Sequence, residues 1–77
     1  MERRRQNREI VRIAATAVSD SGLERMPLTI TNLTRSGAMV EWNGGHLPSQ
    51  FYVLFGHSME PCRVVWQQGQ RAGLAFA

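Results

Sequence analysis

The chain has 77 residues, room for one domain whose single core is barely sufficient, and 43% apolar residues, which argues against disorder through most of its length. Its formal charge of +3 comes from nine arginines, no lysine and six acidic residues. One cysteine, Cys62, excludes an intramolecular disulfide, and no apolar run approaches the roughly 20 residues that cross a bilayer. The first residues lack the apolar stretch of a secretory signal, so a cytoplasmic location is expected.

The charge is unevenly placed. Arg3, Arg4, Arg5, Arg8 and Arg12 stand against only Glu2 and Glu9, whereas Arg25, Arg35, Arg63 and Arg71 are matched in number by Asp20, Glu24, Glu41 and Glu60. Residues 1–9 therefore read as a flexible basic arm, polar on every side, ahead of a domain over 10–77. Guanidinium groups donate in pairs to phosphate and stack on flat rings, so such an arm points to an anionic partner.

Beyond the arm the chain alternates short apolar runs with turn residues. Ile10 to Val18 is rich in Ile, Val, Ala and Thr and ends at Ser19-Asp20-Ser21-Gly22. Leu28 to Leu33 alternates with Thr29 and Thr31, a half-buried strand pattern. Within it Leu28 and Ile30 share a parity that Leu33 breaks, which predicts a bulge near 31–33 turning Leu33 inward and Asn32 and Thr34 outward. Gly37 closes this segment, where it is expected to supply a backbone turn forbidden to other residues. Ala38 to Trp42, Phe51 to Phe55, Cys62 to Trp66 after Pro61, and Arg71 to Phe76 complete six strands, separated by turn residues such as Asn43-Gly44-Gly45. Six strands at this spacing predict an all-β fold, a small six-stranded antiparallel β-barrel. Trp42, Phe51, Phe55, Trp66 and Phe76 are all assigned to its core.

Arg4-x-x-x-Arg8 followed, one strand later, by Asn32-x-Thr34-x-x-Gly37 resembles the signature of PilZ domains, bacterial receptors for cyclic di-GMP. Ala38-Met39-Val40, Cys62-Arg63-Val64-Val65-Trp66 and Gly73-Leu74-Ala75-Phe76 extend the likeness over nearly the whole chain. Thr34 stands where the family most often has serine, and the C-terminal helix of many relatives does not follow Phe76, which implies an open barrel end or a homodimer contact there. The resemblance implies a non-enzymatic module of bacterial second-messenger signalling with a protein effector. It implies nucleotide contacts from Arg4, Arg8, Asn32, Thr34 and Gly37, with Arg5 and Arg35 in reserve. The chemistry suits that ligand. Arginine grips phosphate or the O6/N7 edge of guanine, Asn32 offers donor and acceptor together, and Thr34 offers a hydroxyl. Hydrogen bonds to charged groups contribute about 1.5–3 kcal/mol each, and ordering an arm costs about 1–2 kcal/mol per residue, so micromolar affinity is expected.

Two other readings compete: a barrel of this type that binds only protein, and a small basic barrel that binds RNA or DNA through the arm. The second is disfavoured because the aromatics read as core. His57, Met59 and Cys62 lie too close to one predicted hairpin turn, with too few ligands, to form a metal site. No acid, base and nucleophile set can be assembled, so an enzyme is not expected.

Overall fold

The computed structural model describes residues 9–77. They form six antiparallel strands: β1 Glu9–Val18, β2 Arg25–Leu33, β3 Gly37–Glu41, β4 Gln50–Phe55, β5 Ser58–Gln68 and β6 Arg71–Phe76. The strands close into a barrel in the order β1-β2-β3-β6-β5-β4, and no helix occurs among the described residues. The expected architecture is therefore present. Arg4, Arg5 and Arg8 lie outside the described residues.

Period-two alternation sets the interior. Leu28 and Ile30, Val40 and Trp42, Phe51 and Val53, and Ala72 and Leu74 are buried in pairs two positions apart, joined by Ala15, Ala17, Leu47 and Cys62. Ile30, Val40 and Val53 are wholly inaccessible, and no polar or charged side chain is buried among the described residues. Small alanines on β1 and β6 share the interior with larger residues on β2, β3 and β4, which suits the narrow centre of a barrel of only six strands.

Two prolines sit inside strands, which therefore extend further than the turn signals suggest. Pro27 pairs with Thr16 of β1, but the β2–β3 ladder begins only at Thr29. Pro61 pairs with Tyr52 of β4, while the β5–β6 ladder begins at Cys62. Each lies beside a missing neighbour strand, where the absent N–H leaves no ladder bond unmade.

The predicted break of parity is found at Thr31. Ile30 pairs with Val40 and Asn32 with Met39, so Thr31 is the extra residue of β2 against β3. Leu33 packs against the core, Asn32 is half-buried and Thr34 is exposed. A matching bulge in β1 sets Val11 and Arg12 opposite the same stretch.

One of the five aromatic core assignments differs from the rest. Trp42 and Phe51 are core residues, and Phe55 and Phe76 lie stacked at 6.5 Å between ring centres against the core. Trp66 is not in the core: 42% of its surface is exposed. Val64 pairs with Leu74 but Trp66 with Gly73, so Val65 is an extra residue that flips the parity of β5 and sends the indole outward.

The core assignment carries two tests. Ile30→Ala should lower unfolding free energy by about 2–5 kcal/mol in urea titration, because Ile30 is fully buried and its truncation leaves a cavity in the core. Burial raises the Cys62 thiol from its ordinary 9.0 to about 12. In that window the unfolded chain releases a proton that the folded chain keeps, so stability should fall as pH rises above 9.0. Cys62→Ala should remove that component of the slope.

Candidate functional site

β1 starts where β2 ends. Glu9 pairs with Leu33 and Ile10 with Asn32, so the chain segment that follows Arg4-x-x-x-Arg8 enters the barrel beside the 32–37 loop.

That loop is held by its own hydroxyl. Thr34 Oγ1 accepts from the backbone N–H of Ser36 at 3.2 Å and of Gly37 at 3.1 Å, and lies 3.3 Å from the Gly37 carbonyl, to which it can donate. Thr34 N–H also donates to that carbonyl at 2.9 Å, and Phe76 N–H donates to the Ser36 carbonyl at 2.8 Å, which pins the loop to β6. Thr34 is thus a turn-organising residue, its oxygen occupied within the loop, and a serine would do the same work. Arg35, at the loop's apex, is exposed.

Gly37 corrects the expectation of a special backbone turn. Its φ is not positive; the residue opens β3 as ordinary strand. It has to be glycine because a Cβ there would collide with the Leu74 carbonyl of β6. The constraint is close approach of two strands, not chirality.

The same absence of a side chain recurs at Gly73. A Cβ at Gly73 would run into the indole of Trp66, which lies over it. A row of paired positions crosses four strands: Trp66 on β5, Gly73 on β6, Met39 on β3 and Asn32 on β2. Strands are about 4.8 Å apart, so the row spans about 14 Å, and Trp66 covers the first interval by lying across Gly73. The result is an open trough of about 300 Å³ on the outer wall, with Trp66 and Val65 along one side and Asn32 and Thr34 along the other. Asn32 makes no side-chain hydrogen bond among the described residues.

Sequence reading missed Trp66 and Gly73 as site residues. Two signals were present: Val64-Val65-Trp66 breaks the alternation of an otherwise half-buried strand, and a glycine stands in the middle of β6.

Farther along the same wall, Glu41 sits between two arginines, its carboxylate oxygens 3.7 Å from Arg12 Nη2 and 3.8 Å from Arg71 Nε. All three side chains are well exposed, so these pairs add little to stability. Among the described residues no three His, Cys, Asp or Glu side chains gather in a way that could hold a metal ion, and no helix is long and apolar enough to cross a membrane.

No family model matches the chain, and no curated protein matches it. Among solved structures it is similar to the PilZ domain of CeSA from a cellulose-synthesizing bacterium, with a TM-score of 0.68 and 16% identity over 94% of this chain and 81% of that one. The likeness establishes that the chain has the PilZ-domain fold.

Gly73→Ala tests the trough's construction. The new methyl has to push a flexible indole rather than backbone, so the variant should fold with Trp66 displaced and its fluorescence shifted to the red. Gly37→Ala, which meets backbone, should instead cost about 1–3 kcal/mol or more in thermal unfolding.

Proposed function

We propose that this chain is a cyclic di-GMP receptor module, in which Arg4 and Arg8 close over a nucleotide lying in the trough of the barrel's outer wall. The reading rests above all on the pairing of Glu9 with Leu33 and of Ile10 with Asn32, which brings the residues after the arginine motif to the edge of that trough. The PilZ-domain fold supports it, as does the order of the two motifs along the chain.

In this reading a guanine lies flat between Asn32 and Trp66. Asn32 addresses its edge with both a donor and an acceptor, and Trp66 gives it an aromatic surface; stacking of a base on such a surface contributes about 1–3 kcal/mol. Glycine at 73 lets the Trp66 indole lie down on the sheet beside the base, and glycine at 37 lets β3 and β6 close up next to it. Thr34 acts at one remove by fixing the loop. Arg4 and Arg8 take the phosphates as bidentate donors, with Arg5 and Arg35 available to the same anion. Binding recruits the arm to the barrel wall and so changes the surface offered to a protein effector. No chemical step is involved.

A protein-binding role without nucleotide is the second reading. It is favoured by Val65, 54% exposed beside Trp66, since two apolar side chains on an outer wall also suit a partner chain.

Calorimetry separates the two. Titration with cyclic di-GMP should give micromolar binding, and Arg4→Ala, Arg8→Ala and Asn32→Ala should each weaken it, the arginine changes by about 2 kcal/mol or more. Flat titrations of the folded wild-type chain at high micromolar nucleotide would remove the nucleotide reading and leave the protein-binding one.

A further inference from the structure

A second depression lies on the same wall, next to the trough. Glu41, which lines this depression, is two residues beyond Met39, which lines the trough; both lie on one face of β3 because Val40 between them points into the core, so these two residues are about 7 Å apart along the strand. This depression has a volume of about 620 Å³. It is bounded by Thr29, Glu41 and Asn43 on one side and by the Gln68–Arg71 turn on the other. Trp42 lines it as well, and the Trp42 indole N–H is the one buried side-chain donor without an acceptor among the described residues.

The polar groups in it are ordered. Glu41 and Arg71 are paired neighbours on β3 and β6, their charged ends 3.8 Å apart. That separation, like the 3.7 Å to Arg12, is longer than a hydrogen bond, so the carboxylate's acceptor directions are not taken up by the guanidinium groups that flank it. Read across, the pair presents two carboxylate acceptors followed by a guanidinium donor. The Watson–Crick edge of guanine presents the complement, with N2–H and N1–H as donors and O6 as acceptor. Adenine presents an amino donor beside a ring acceptor, which sets an acceptor against the carboxylate and a donor against the arginine.

We infer that this depression is a second base subsite, in which Glu41 and Arg71 read the Watson–Crick edge of one guanine while the other occupies the trough between Asn32 and Trp66. The inference rests on the cyclic di-GMP reading above and adds to it the residues that select guanine over adenine. A cyclic dinucleotide carries its two bases on either side of a ring of two phosphates, and the two hollows offer one place for each. The flanking arginines hold the carboxylate in position and offset its charge, so an anionic ligand is not repelled from it.

The test compares cyclic di-GMP with cyclic di-AMP on the full chain and on Glu41→Gln. Glutamine keeps the shape but replaces one acceptor by a donor, and the exposed ion pairs it breaks contribute little to folding. Wild type should prefer the guanine ligand, and Glu41→Gln should lose about tenfold or more of that preference, mostly through weaker binding of cyclic di-GMP. The two indole N–H resonances give a readout independent of affinity. Cyclic di-GMP should shift both Trp66, at the trough, and Trp42, at the depression. A shift of Trp66 alone, with the base preference of Glu41→Gln unchanged, would overturn the second subsite and leave the receptor reading standing. Absence of binding by either nucleotide to folded wild type would overturn both.

Discussion

Ala15 and Ala17 on β1 and Leu28 and Ile30 on β2 have to share the barrel interior, and this fixes the register in which Ala15 meets Leu28 and Val18 meets Arg25; the one-residue shift at the β1 bulge then sets Glu9 opposite Leu33. A slip of one residue would turn every one of those apolar side chains to solvent, so no neighbouring register competes. The consequence reaches beyond the core. Because β1 and β2 run antiparallel, the start of the first strand is locked to the end of the second, and the residues that follow the arginine motif meet the start of the Asn-x-Thr-x-x-Gly loop although more than twenty positions separate them. Bulges at Thr31 and opposite it in β1 then release Asn32 from the interior parity.

A second constraint shapes the wall beside that junction. Two glycines give up a side chain to a neighbouring strand: Gly37 on β3 for the Leu74 carbonyl of β6, and Gly73 on β6 for the Trp66 indole of β5. The outer wall therefore carries a trough bordered by an aromatic ring and a carboxamide. Most sheets of this size face water with a continuous cover of polar side chains. Here the cover is withdrawn along one row and restored at Glu41 and Arg71, which leaves two adjoining hollows of different chemistry. The first offers stacking and a mixed donor–acceptor group, the second an ordered pair of opposite charges.

Much of this was legible in the residues. The six strands, the barrel and the bulge near 31–33 follow from period-two alternation, turn residues and one parity break, because those signals are local and the core enforces them. The strand ends at Arg25 and Ser58 were hidden, since Pro27 and Pro61 ordinarily stop a strand and do so less when the neighbour on that side is missing. Trp66 was read as core because apolar aromatics usually are; only the pairing with Gly73, a fact of β5–β6 register, turns it outward. Gly37 was recognised for the wrong reason. A glycine after a polar loop suggests a turn, whereas its actual neighbour, the Leu74 carbonyl, belongs to a strand thirty-odd positions away that no local pattern reveals.

The central claim is that the arginine arm and the 32–37 loop enclose one nucleotide on the outer wall. Amide chemical shifts followed during titration with cyclic di-GMP test it most directly. The account predicts large changes at residues 3–12 and 32–37 and along the outer wall from Trp66 and Gly73 to Glu41, Trp42 and Arg71. Saturable binding whose shifts fall instead at the opposite end of the barrel, around the Ser19–Glu24 turn and the 44–49 loop, would contradict it.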